Sequence, residues 1–98
     1  MPERLALEHL QEDGLVRLVG SRARTTPRWQ AAMARAALAL QRAGAPFGDL
    51  RLPIASALTE LYGELTDEEI ARYVAVMLPI EEAELAPLFG GPAAAPER

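Results

Sequence analysis

Cysteine does not occur in this chain of 98 residues, which excludes a disulfide framework and thiolate metal sites and leaves no pointer to an oxidising compartment. Lysine is missing as well. All ten basic residues are arginines, which reads first as a high-GC codon bias. Aromatic residues number only five, so a core must be built mainly from Leu, Ala, Val and Ile, of which the first two are strong helix formers. The N-terminus lacks the basic-then-apolar pattern of a secretory signal. The longest apolar run, Val74 to Ile80, is too short to cross a bilayer. A soluble chain in the cytoplasm is expected, with no membrane partner.

Histidine is nearly absent too. His9 and Asp13, four residues apart, put two possible ligands on one helical face, but two ligands do not hold a metal tightly, so His9 is expected to be a half-exposed surface residue. Ser21 and Ser56 have no base pattern to activate them, and there is no Gly-rich phosphate loop or nucleophile elbow. The acidic neighbours Glu68-Glu69 and Glu81-Glu82 point about 100° apart on a helix and read as caps and solvated faces. A non-enzyme is expected, without cofactor, metal or small-molecule substrate.

What the chain does have is helix punctuation. A first helix is expected from Pro2 to Asp13, with Leu7 and Leu10 on one face, broken at Asp13-Gly14. Residues 15–26 admit two readings. Leu15 to Val19 and Arg22 to Thr26 form a hairpin around Gly20-Ser21, or the first helix continues to Gly20. Thr26-Pro27 starts a second helix that runs to about Ala43, with Trp29, Met33, Ala36, Leu40 and Ala43 as an apolar stripe. A third helix carries Pro53 in its first turn, buries Ile54, Leu58 and Leu61, and stops at Gly63. Thr66 and Glu69 have capping-box spacing, flanked by Leu65 and Ile70, so a fourth helix begins at Thr66 and buries Ile70, Tyr73, Val74 and Met77. Pro79 either kinks this helix or starts a fifth that reaches about Leu88. The expected fold is mainly α: a small bundle of four or five short helices in one domain, 1–89, possibly with an N-terminal hairpin at 15–26, followed by a disordered tail, 90–98.

The net charge of −4 conceals an asymmetry. Residues 1–42 carry seven arginines against four acids, net +3, whereas residues 43–98 carry three arginines against ten acids, net −7. Arg28, Arg35 and Arg42 recur every seven residues and so form a nearly straight line on the second helix, drifting ~20° per step. Arg17, Arg22 and Arg24 precede them. In the hairpin reading Arg17 faces Arg24 across the strands, a like-charge pair that needs an anion or an acid beside it. These six arginines are the candidate surface for nucleic-acid phosphate or an acidic partner. In the other reading they pair with the chain's own acids, within one protomer or across a dimer.

Leu7-Glu-His-Leu10-Gln-Glu-Asp-Gly14-Leu-Val-Arg-Leu-Val19, with Arg24-Thr-Thr-Pro-Arg-Trp29 after an Arg-rich turn, resembles the later half of a winged-helix DNA-binding domain. The resemblance covers residues 7–29. It implies a helix leading into a wing hairpin whose basic tip touches the DNA backbone. Only Met1 to Ala6 precede it here, where a winged helix has the helix pair that positions its recognition helix, so the implied protein is a truncated relative carrying an added helical region.

The leading functional expectation is therefore a small, non-catalytic, transcription-regulator-like protein whose basic half contacts nucleic-acid phosphate. The alternative is a homodimeric protein–protein interaction module, an adaptor or non-catalytic subunit. A chain this short buries only about two thirds of its unfolded surface, which favours a homodimer. Trp29, Ala32, Leu38 and Ala39 are the expected interface residues, with each basic half against the partner's acidic half.

Overall fold

The computed structural model describes residues 3–45 and 48–86. Among these residues six elements follow one another: α1 (Glu3–Glu12), β1 (Val16–Val19), β2 (Arg22–Thr25), α2 (Pro27–Arg42), α3 (Arg51–Tyr62) and α4 (Asp67–Leu85). The architecture is mainly α, a small bundle of four helices with one antiparallel hairpin near the N-terminus. The open choice at 15–26 thus resolves to the hairpin. Gly14 ends α1 at a positive φ of 75°, a conformation favourable only to glycine, and Gly20 turns the hairpin at φ 66°.

Helix boundaries follow the capping chemistry. Thr66 Oγ1 accepts from Glu69 N (3.1 Å) while Glu69 Oε1 accepts from Thr66 N (2.9 Å), so both halves of the capping box form. At α2, Thr26 Oγ1 accepts from Trp29 N (3.4 Å) and donates to Gly14 O (2.6 Å), which ties the helix start to the end of α1. α2 closes at Gly44, φ 77°, where Ala45 N donates to Leu40 O (3.0 Å).

One apolar cluster joins all six elements, with Trp29, Leu10, Leu15, Ile54, Leu58 and Met77 as its largest fully enclosed side chains. The periodic stripes are rotated slightly from expectation. In α2 the buried residues are Trp29, Ala32 and Ala36, with Met33 and Leu40 half-buried and Ala43 exposed. In α1 Ala6 and Leu10 are enclosed and Leu7 only partly so; in α3 Ala57 joins Ile54 and Leu58, and Leu61 is half-buried.

α4 runs unbroken to Leu85 with Pro79 inside it, so no separate helix starts at that proline. Pro79 cannot donate to the Ala75 carbonyl one turn back. Both residues lie on the exposed face, where water can take the freed acceptor. The expected helix end near Leu88 and the expected disordered tail, 90–98, lie outside the described residues.

α4 is the organising element. α1 packs against it, α3 lies between it and α2, and β2 rests on its C-terminal half. No helix among the described residues is long and apolar enough to cross a membrane.

Candidate functional site

The hairpin pairs Val16 with Thr25, Arg17 with Arg24, Leu18 with Ala23 and Val19 with Arg22. Residues directly opposite each other share a face, as do residues two apart on a strand. Arg17, Val19, Arg22 and Arg24 therefore lie on one face of the ribbon, and all four are exposed. The other face carries Val16 and Thr25, buried at the root, and Leu18, exposed near the tip. The tip is unusually apolar for a free turn, with Leu18 54% and Val19 49% exposed.

Arg24 is held from behind. Its Nε donates to Glu84 Oε2 (3.1 Å), and the same carboxylate accepts from Thr25 N (2.7 Å, Oε2) and Thr25 Oγ1 (2.6 Å, Oε1). The acid that the Arg17–Arg24 opposition needs is thus Glu84, from the end of α4. Burial pushes the Glu84 carboxyl up, but the Thr25 hydroxyl and amide and then Arg24 outweigh that, and the group is held below the usual carboxylate range. Arg17 and Arg22 have no ion pair among the described residues.

The α2 arginines behave differently from each other. Arg28 Nη1 donates to the Asp13 carbonyl (2.9 Å), locking the α1 terminus to the start of α2. Arg35 grips Glu60 of α3 through Nε (2.8 Å) and Nη2, and each partner holds the other's charge, the Arg35 pKa raised and the Glu60 pKa lowered by their shared hydrogen bonds. Arg42, in the last turn of α2, is exposed and unpaired among the described residues. The seven-residue line of arginines exists, but two of its three members hold the fold together. Both ion pairs, Arg24–Glu84 and Arg35–Glu60, join the basic half to the acidic half within one chain.

The expected dimer residues also divide. Trp29 and Ala32 have no exposed surface, because α3 and α4 of the same chain cover that stripe, so they are core residues and not interface residues. Leu38 (46% exposed) and Ala39 remain on the outer side of α2.

Two acidic residues of α4 turn inward, toward the rest of the chain. Glu81, expected on a solvated face, is only 6% exposed and accepts from Trp29 Nε1 at 2.5 Å; burial raises its pKa, against the lowering effect of that hydrogen bond. Glu84, whose side chain is only 16% exposed, is the second. The available signal was the spacing Tyr73, Met77, Glu81, Glu84, whose steps of four, four and three continue one buried stripe.

His9 and Asp13 hold no third ligand between them. His9 Nδ1 lies 3.3 Å from Tyr73 Oη, and Tyr62 donates its hydroxyl to Asp13 Oδ2 at 2.5 Å. The two tyrosines stack at 5.5 Å with rings 2° from parallel. Burial, and then the Asp13 carboxylate, raise the Tyr62 pKa, which keeps its hydroxyl protonated as the donor. This cluster ties α1 to α3 and α4. Among the described residues no group of three or more His, Cys, Asp or Glu side chains is placed to bind a metal.

Among the described residues, two of the concavities on the flanks of the bundle stand out. One, of about 590 Å³, lies between β2 and the Pro79–Glu84 stretch of α4. The other, of about 670 Å³, is an apolar hollow where Leu40, Leu50, Pro53 and Leu85 meet. Comparisons with known protein families, curated proteins and solved structures find no match to this chain.

Proposed function

We propose that the protein is a non-catalytic, transcription-regulator-like binding protein that grips nucleic-acid phosphate with the basic face of its hairpin. The observation that carries this reading is the placement of Arg17, Arg22 and Arg24 on one exposed ribbon face that holds no acid of its own. Arg24 is oriented by Glu84, and Arg17 and Arg22 reach outward unpaired among the described residues. Helix α1 running directly into an arginine-bearing hairpin is also the local order that the winged-helix resemblance implies, although exposed Leu18 and Val19 make the tip itself partly apolar.

The acidic total does not oppose this. The acids in the first turn of α4 lie about 23 Å along the helix from Glu84, at 1.5 Å per residue. That is well beyond the ~8 Å screening length at physiological salt. Of the nearer acids, Glu81 is buried against Trp29 and Glu84 is spent on Arg24 and Thr25, so the positive charge of the ribbon face rests on Arg17 and Arg22, with Glu82 the exposed acid beside them on α4.

Fluorescence anisotropy with a labelled duplex at several salt concentrations tests the reading. Three arginine contacts give a log–log salt slope of about −2.7, and Arg17→Ala and Arg22→Ala each reduce its magnitude by ~0.9. Binding that ignores salt, or a slope unaltered by both substitutions together, would refute it.

A second reading rests on Leu38. It stands exposed among the small, exposed Ala31, Ala34 and Ala39 on the outer side of α2, a surface on which a second α2 can pack closely. Homodimerisation through this face is compatible with nucleic-acid contact by the hairpin, which lies elsewhere.

A further inference from the structure

The edge of β2 has a polarity that the phosphate reading leaves unused. Thr26 N donates to Leu15 O (3.1 Å), so Leu15 and Thr26 form a hydrogen-bonded pair. Alternation along an antiparallel ladder makes Arg17/Arg24 and Val19/Arg22 the next such pairs, and turns the main-chain groups of Ala23 and Thr25 away from β1. The Thr25 N–H shows where they point, because it meets the Glu84 carboxylate of α4. Two residues nearer the tip, the Ala23 N–H and C=O face the same side. Among the described residues nothing bonds to either.

They open into the groove between β2 and α4. Arg22 and Arg24 stand on its hairpin wall, and Pro79, Ile80 and Ala83 form the opposite, apolar wall. Arg24 gives only Nε to Glu84, so its two terminal nitrogens remain open to another acceptor. A bare strand edge beside apolar and basic walls has the features by which sheets capture extended peptides.

We propose that this groove binds a short, extended, acidic peptide segment of a partner protein, which adds to β2 as a third strand at Ala23. The donor-and-acceptor pair of Ala23 selects a peptide over a phosphate. A phosphate offers only acceptors, which would face both the Ala23 carbonyl and the Glu84 carboxylate, whereas a peptide residue supplies an N–H and a C=O together. Carboxylates of the segment meet Arg22 and the free nitrogens of Arg24, and an apolar side chain lies on Ile80 and Ala83. Glu84 sets the length. Its carboxylate already occupies the Thr25 N–H, so the added strand ends there and spans about three residues, ~10 Å. The added strand lies on the edge of the ribbon and leaves Arg17 untouched, but it shares Arg22 and Arg24 with the nucleic-acid reading, so the two occupants compete for those side chains and Arg17→Ala tells them apart.

The test is an amide NMR titration of the full chain with an acetylated, amidated Val-Asp-Val-Asp-Val peptide. Saturable shifts are expected at Ala23 and Ala83, weakened about tenfold or more when the central valine is N-methylated, and weakened also when Asp is replaced by Asn. Ala83→Glu, an exposed helical position, fills the groove with a like charge and abolishes the shifts while the thermal melt stays that of wild type. Ala23→Pro removes the outward N–H and sets the proline ring in its place, breaking no bond to β1, and is expected to reduce binding at least tenfold. Arg17→Ala, on the other strand, leaves peptide affinity unchanged while weakening a DNA duplex. Absence of shifts up to about 1 mM peptide overturns the proposal. So does equal binding of the N-methylated peptide. A duplex that shifts the Ala23 amide and is blocked by Ala83→Glu overturns it in favour of a phosphate site.

Discussion

Replacing Glu84 by alanine removes from the end of α4 a carboxylate that serves three donors at once. The Thr25 residue it serves is buried, so the freed amide and hydroxyl hydrogens lose a charged acceptor in a site that water enters poorly. A net hydrogen bond to a charged group contributes about 1.5–3 kcal/mol. The hydroxyl keeps its bond from Gln30 Nε2 (3.1 Å) and can turn, which discounts the second bond. The Arg24 pair, with the Arg24 side chain 56% exposed, adds at most about 0.5 kcal/mol. The expected loss is about 3 kcal/mol, a large part of the ~5–15 kcal/mol of a typical domain. In urea, with a slope of about 1.5 kcal/mol per molar, the midpoint falls by ~2 M. Glu84→Gln, which keeps an acceptor for the Thr25 amide, should lose less than half as much, and Arg24→Ala almost nothing. Because the folded Glu84 pKa is lowered, its contribution is present above the unfolded carboxylate range and disappears as pH falls through the folded value. Acid titrations of Glu84→Gln should accordingly be flatter than those of wild type. A Glu84→Ala protein whose urea midpoint stays within about 0.3 M of wild type would show that the hairpin is not held by this carboxylate.

Glu81 behaves in the opposite sense. Its folded pKa is raised by burial, so ionisation above the carboxylate range weakens the fold. Glu81→Gln, which still accepts from Trp29, should melt higher than wild type at pH 7, with the gap closing toward pH 4, whereas Glu81→Ala strands the indole N–H and should cost about 1–3 kcal/mol. A series of melts between those pH values separates the two variants, and equal melting temperatures for Glu81→Gln and wild type throughout would count against the burial argument. Thr66→Ala removes one half of a fully formed capping box and should lower stability by ~1 kcal/mol in chemical denaturation. Leu38→Glu should leave the melt intact and shift the light-scattering mass from dimer to monomer; a wild type that stays monomeric at high micromolar concentration removes the α2 interface from consideration.

Boundaries set by neighbouring residues were legible in the sequence. Thr66 with Glu69, and Thr26 with Pro27, signal helix starts within four residues, and both form as expected. The hairpin was one of two readings, since Leu15 to Val19 has no period of its own; what holds it in place is Glu84, about sixty residues away. The arginines illustrate the same limit. Seven-residue spacing correctly aligns Arg28, Arg35 and Arg42 on α2, yet their occupation depends on the Asp13 carbonyl and on Glu60, which belong to other elements. An apolar stripe likewise shows that Trp29 and Ala32 face something, but not that this chain's own helices supply it. Glu81 was hidden for a chemical reason: a charge at a buried helical position looks solvated until its hydrogen-bond donor is known.

The ties between Trp29 and Glu81 and between Thr25 and Glu84 also order events in time. A ribosome releases the hairpin and α2 long before the end of α4, so the nascent first half waits with its indole N–H and its Thr25 amide unanswered. Closing contacts fifty to sixty residues apart is entropically slower than forming local helices. Synthesis halted between Pro79 and Glu81 would thus yield four helices' worth of sequence with no acceptor for either group and the Trp29 pocket open at one end. Such a fragment should be a chaperone or protease substrate, and the last turn and a half of α4 is the part that closes the core of this domain.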